Sequence, residues 1–193
     1  MLTSLREVYA VHESPGPFAD HTLESAPRGS RRAMEATKER LGYLPAPVRR
    51  LAASPQVLDG FLRMSALFEA TSLEPLARET VILTVAVRNE CHVCVAMHTR
   101  ILTDLDADPA LTEALRAQRP LPDPRLEAVR VLTREVLDRS GDVGQGALDA
   151  FLAHGYTPRQ ALDVVLGIGA YTLSTLANRL TGAPLDPQLQ PYA

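Results

Sequence analysis

The chain has 193 residues, 46% of them apolar and 22% charged, and a net charge of −3. That balance fits a soluble globular protein with one substantial core and excludes a dedicated nucleic-acid or polybasic membrane surface. All but one of the 20 basic residues are arginines, scattered among acids as solvated faces.

The run from Met1 to Arg6 has no apolar core and no small-residue cleavage site behind it, so no secretory signal is expected and cytoplasmic residence is. Residues 1–29, with Pro15, Pro17 and Pro27 among Ser, Gly and His, predict an extended arm, and residues 30–193 a single helical domain. Helices are predicted over 30–41, 46–53, 55–70, 74–89, 92–105, 109–117, 124–139, 143–154 and 158–181. Ser54, Asp108, Asp123 and Thr157 each precede a proline, the pattern of an N-cap followed by proline at the first helical position. Gly42, Gly155 and Gly182 fall where helices should stop. Leu58, Phe61, Leu62 and Ser65 keep the 3.6-residue period, as do Ala128, Val131, Leu132 and Val136. No period-two run is bounded by hairpin residues, so the fold class is all-α. The apolar helices 74–89 and 158–181 belong at the centre of a bundle or at a subunit interface. The longest apolar run, Val164 to Tyr171, is too short to span a bilayer, and no membrane partner is expected. The tail from Pro184 to Leu189 reads as a docking or capping segment.

The chemistry concentrates in Glu79, Cys91, Cys94 and His98. Cys91 and Cys94 are the only cysteines, three residues apart; His98 follows four after the second, and Glu79 lies one helix upstream. In a reducing compartment such a pair is catalytic or metal-binding rather than a structural crosslink. With Asn89-Glu90 as a break, Cys91 is expected in the first turn of a new helix and Cys94 one turn in, where free N–H groups favour thiolate. Lowering a thiol by two pH units requires about 2.7 kcal/mol, and a helix terminus supplies only roughly 0.3–1 kcal/mol. His98, at i+4 from Cys94, is placed to take the proton, and Glu79 to orient His98 if the two helices pack. For a helical i,i+3 pair, Cβ atoms are about 5–6 Å apart, so closing a disulfide should distort the first turn.

Plainer roles stand beside these. Glu79 fits a first-turn acid, His98 a surface histidine, and Glu90 an exposed residue at the break. Cys91, Cys94 and His98 make at most three metal ligands, with no second cysteine or histidine pair to complete a structural zinc site. A thioredoxin-type site needs a strand-helix pattern that is absent. Tyr171 and Asn178, polar groups on the last apolar helix, fit either a satisfied core hydrogen bond or a pocket or interface position. His12, His21 and His154 have no partners by spacing.

The pattern Glu-x11-Cys-x-x-Cys-x-x-x-His resembles the alkylhydroperoxidase D-like branch of the carboxymuconolactone decarboxylase family. The likeness extends to Leu51–Pro55, Gly155–Pro158, Val164-Val165, Tyr171–Asn178 and Pro184–Asp186, and covers residues 40–187. It implies an all-helical subunit in a trimer or higher oligomer, and a thiol peroxidase acting on hydrogen peroxide or organic hydroperoxides. In that cycle Glu79 acts through His98 to deprotonate Cys94, which attacks the peroxide; Cys91 resolves the sulfenic acid to a disulfide. An external dithiol, whether a lipoyl group, a thioredoxin-like protein or a small thiol, then reduces it. One position departs from the pattern: where the family often has histidine before the second cysteine, this chain has Val93, and His92 is not given that role. Decarboxylase members lack the cysteine pair, which disfavours lactone decarboxylation. No flavin, haem or nicotinamide motif is present, so no cofactor is expected. A disulfide relay or redox sensor with little peroxidase turnover, and a metal-binding oligomeric module, are the alternatives.

Overall fold

In the computed structural model, which describes residues 17–193, helix follows helix from Arg28 onward and no strand occurs among the described residues. The first four helices are α1 (Arg28–Leu41), α2 (Ala46–Leu51), α3 (Pro55–Glu69) and α4 (Pro75–Arg88). After them come α5 (His92–Asp104), α6 (Pro109–Arg116), α7 (Pro124–Asp138), α8 (Gln145–Ala153) and α9 (Pro158–Thr181), and a 3-10 turn over Pro187–Tyr192. Every predicted boundary lies within two residues of the observed one.

The local signals act as their chemistry requires. Ser54 accepts from the Val57 N–H at 3.3 Å, Asp108 from Ala110 at 2.8 Å and Asp123 from Arg125 at 2.7 Å. At the start of α9 the Thr157 hydroxyl accepts from Gln160 N–H, and the Gln160 side chain accepts from Thr157 N–H at 2.9 Å. Each such cap contributes about 1 kcal/mol by satisfying a donor the helix leaves open. Gly42, Gly155 and Gly182 have φ of 76°, 86° and 60°, a left-handed backbone that costs glycine nothing.

Helix α4 is the axis of the bundle, packed against α9, α5, α7 and α6. Its Val81, Leu83 and Val85 are fully buried with Phe68, Leu102, Leu132 and Phe151 in the main core. Helix α3 lies across α9, and the crossing is close: a Cβ on Gly167 would stand 2.6 Å from the Phe68 ring. By length and composition alone, α9 is long and apolar enough to cross a membrane. In this fold one of its faces packs on α3 and α4, while Leu162, Val165, Leu176 and Leu180 on the other are exposed. A smaller core of Met34, Leu51 and Leu58 joins α1, α2 and α3.

Both ends of the chain converge on α2. The Asp186 carboxylate accepts from the Ala46 N–H at 3.0 Å, so the tail does cap a helix. Arg50 donates to the carbonyls of Phe18 and Thr181, at 2.6 and 2.9 Å, and pairs with Asp20. Residues 17–27 carry no helix and lie against α2 through these contacts; the rest of the predicted arm, residues 1–16 with His12, lies outside the described residues.

Candidate active site

The turn between α4 and α5 sets the site. Glu90 adopts φ 52°, and the Cys91 N–H donates to the Ala86 carbonyl at 2.9 Å, which reverses the chain in three residues. A left-handed non-glycine residue costs roughly 1–2 kcal/mol, and contacts from α9 offset it. Arg179 donates to the Asn89 carbonyl at 2.7 Å and pairs with the exposed Glu90 carboxylate at 2.8 Å. Asn89 donates to the Thr175 hydroxyl at 2.9 Å.

Cys91 is the N-cap of α5, with extended φ/ψ of −86° and 91°, rather than a first-turn residue. From outside the helix its Sγ swings over Cys94, and the two free sulfurs stand 2.8 Å apart. The expected distortion of the first turn is therefore not needed for the sulfurs to meet. Both cysteines are buried, and Cys94 alone of the two lines a cavity.

The thiols titrate as one unit. Their mutual hydrogen bond lowers Cys91 to about 7, against the opposing effect of burial. The same bond and burial push Cys94 well up. The direction that matters is the pair's: the first proton leaves easily because the remaining S–H stabilises the thiolate, and the second leaves with difficulty. The lower value thus falls on Cys91, although the helix terminus and His98 lead one to expect it at Cys94.

Helix packing joins Glu79 to His98 as the sequence anticipates. His98 Nδ1 lies 2.7 Å from Glu79 Oε2, with both side chains about nine-tenths buried. When Nδ1–H donates to the carboxylate, Nε2 carries the lone pair and is the basic nitrogen. The Tyr171 ring meets the imidazole edge-on at 5.2 Å, and its hydroxyl lies 3.3 Å from Ser65 Oγ. Burial pushes the Tyr171 phenol up, so it stays neutral. His98 makes no direct hydrogen bond to Cys94 among the described residues; the two groups meet as neighbours on one cavity wall. His92 is exposed, in line with its having no assigned role.

That cavity, of about 400 Å3, has Cys94, His98, Ser174 and Asn178 among its polar lining, Arg40, Glu69, Arg100 and Asp104 among its charged lining, and Phe61, Leu62, Met97, Ile101 and Leu189 among its apolar lining. Helical period alone would have found Met97 and Ile101, which follow Cys94 and His98 on one face of α5. Nothing local marks Leu189 or Tyr43, which reach the cavity from the tail and the α1–α2 loop. Asn178 donates to Cys94 Sγ at 3.3 Å, so of the core and pocket positions open to it from the sequence it takes one on the pocket. A wider groove of about 520 Å3 between α1 and α3 holds neither cysteine. Among the described residues no group of three or more His, Cys, Asp or Glu side chains is placed to hold a metal ion.

Residues 55–132, which include all four motif residues, match the model of the Carboxymuconolactone decarboxylase family. The fold is that of the alkylhydroperoxidase D core. A peroxidase-related protein from Ralstonia eutropha JMP134 described by that core superposes with a TM-score of 0.78 at 21% identity, over 89% of this chain and 93% of that one. A peroxidase-related protein from Silicibacter sp. TM1040 gives 0.75 at 20% identity, over 92% and 97%. The debrominase Bmp8, crystallised with 2,3,4-tribromopyrrole, gives 0.66 at 11% identity, over 83% and 87%. No curated protein matches. The segment 55–132 is thus similar to the Carboxymuconolactone decarboxylase family, and most of the chain shares the alkylhydroperoxidase D-like helical fold.

Proposed function

We propose that the protein is a dithiol peroxidase that reduces hydrogen peroxide or organic hydroperoxides. The observation that carries the reading is a pair of free thiols 2.8 Å apart, one of them on a cavity wall beside a buried Glu79–His98 pair. The dithiol gives one proton to His98 Nε2. The proton that remains moves across the short S···S contact to Cys91, leaving the charge on Cys94, the sulfur a peroxide can reach. Cys94 attacks the terminal oxygen: an S–O bond forms, the O–O bond breaks, and the departing alkoxide takes the proton from His98. Cys91 then attacks the Cys94 sulfenic acid. The S–S bond forms, the S–O bond breaks, and the Cys91 proton leaves with the hydroxyl as water. Sulfur has lost two electrons and the peroxide has gained them. An external dithiol returns the pair to the reduced state.

Glu79 keeps the basic nitrogen on the cavity side and stabilises the imidazolium while it waits for the alkoxide. The mostly apolar cavity lowers the effective dielectric around the attack and admits a hydroperoxide with a hydrocarbon body. Cytoplasmic residence and assembly into a trimer or higher oligomer belong to the same reading.

The test is turnover of cumene hydroperoxide with dihydrolipoamide as reductant. Steady consumption, abolished in Cys94→Ser, is the expected result. A disulfide that forms and is reduced without catalytic turnover would shift the assignment to a redox relay. Bromide release from 2,3,4-tribromopyrrole in place of peroxide consumption would assign the chain to the debrominase chemistry.

A further inference from the structure

Asn178 is held where the reaction must happen, and half of its hydrogen-bonding capacity is unused. Its side chain sits on α9, buried, on the wall of the dithiol cavity. Nδ2 donates to Cys94 Sγ at 3.3 Å and lies 3.4 Å from Ser174 Oγ. Oδ1 is buried and has no hydrogen-bond partner. A buried acceptor left unpaired is costly to the fold, and native structures rarely keep one without a use. An O–H donor entering the cavity beside Cys94 is a group that would satisfy it.

We propose that Asn178 is a catalytic residue of the peroxide step, its amide N–H holding the Cys94 thiolate and its Oδ1 accepting from the peroxide O–H. The inference rests on the peroxidase reading. In the attack the terminal oxygen keeps its proton while it passes from the O–O bond to the S–O bond. The O–H is therefore the same group before and after transfer, first on the hydroperoxide and then on the Cys94 sulfenic acid. One carboxamide, with its N–H on sulfur and its carbonyl on that O–H, spans both reacting atoms and directs the terminal oxygen, rather than the alkyl-bearing one, toward Cys94. The bond to sulfur is charge-assisted once Cys94 ionises, so it strengthens along the reaction coordinate. It also acts in the needed direction: hydrogen bonds from Asn178 and Ser174 pull the Cys94 thiol down against the upward push of Cys91 and burial. The Asn178→Cys94 hydrogen bond joins α9 to α5, so only the fold brings the amide to the sulfur.

The experiment uses the full chain in a Cys91→Ser background, where Cys94 is the sole thiol. Its ionisation is read from the pH dependence of alkylation by iodoacetamide, and its oxidation from the rate of sulfenic acid formation with cumene hydroperoxide. Asn178→Ala should raise the alkylation midpoint by about one pH unit and slow oxidation by at least about tenfold at fixed thiolate fraction. Asn178→Asp keeps the shape, removes the N–H and places a carboxylate beside sulfur; it should raise the midpoint further, and it serves if the alanine variant folds poorly. A midpoint within about 0.3 pH unit of the background protein together with an oxidation rate within about twofold of it, in either folded variant, would overturn the proposal. If the background protein alkylates normally but never forms a sulfenic acid, the peroxidase reading fails and the Oδ1 role with it. The alkylation midpoints alone then still decide whether the amide holds the thiolate.

Discussion

At the scale of single residues, reactivity turns on which group holds which proton. Glu79→Gln removes the charge from the 2.7 Å contact with His98 and should slow the peroxide step roughly ten- to a hundredfold in stopped-flow measurements, with the helical content unchanged. His98→Ala removes the proton acceptor and should cost about a hundredfold or more at neutral pH. Its loss should shrink at high pH, where solvent takes the proton instead. Because Cys91 is lowered to about 7, thiolate accumulates as pH rises through that value, below the ordinary thiol range near 8.5. Alkylation of the reduced wild-type protein should therefore rise through a midpoint of about 7 and show one fast thiol, the second reacting only at much higher pH. Two equivalent thiols with midpoints above 8 would contradict the shared proton. The four motif residues were legible in the sequence because residue type and spacing alone specify them. Their exact partners were not. A helical spacing of i,i+4 suggested a Cys94–His98 bond, whereas packing of α5 on α4 turns the imidazole toward Glu79.

At the scale of elements, the order and ends of the helices could be read from N-cap and proline pairs and from terminal glycines, since those signals act within a few residues. Contacts between distant elements carry no such mark. Gly167 looked like any helical glycine until α3 was laid across α9, with the Phe68 ring where a Cβ would be. Gly167→Ala forces that ring out of the core and should destabilise the protein by about 1–3 kcal/mol, lowering Tm by roughly 2–4 °C per kcal/mol in a thermal melt. An unchanged Tm would mean that the crossing is looser than described. The turn that bears Cys91 depends on α9 in the same way, through Thr175 and Arg179. The last helix is thus a support for the dithiol as well as a wall of its cavity. The tail adds Leu189 to that wall only because Asp186 anchors it on α2. Asp186→Ala should leave the chemistry intact and raise KM for cumene hydroperoxide, a separation that a Cys94 substitution would not give.

At the scale of the whole molecule, α9 presents Leu162, Val165, Leu176 and Leu180 to solvent along a single face, while its opposite face lies in the core. We propose that this stripe is a surface for another subunit; the sequence placed the helix at the centre of a bundle or at a subunit interface. Leu176→Asp combined with Leu180→Asp should reduce the mass seen by sedimentation from that of a trimer or higher assembly toward the 21.0 kDa subunit. A parent protein that already sediments as a monomer would remove oligomerisation from the account. The central claim, that the two sulfurs are a working redox pair, is most directly tested by intact mass and a free-thiol count before and after one equivalent of cumene hydroperoxide. The account predicts the loss of two hydrogens and of both free thiols, with cumyl alcohol as product. Two thiols still free, with the peroxide unconsumed, would contradict it.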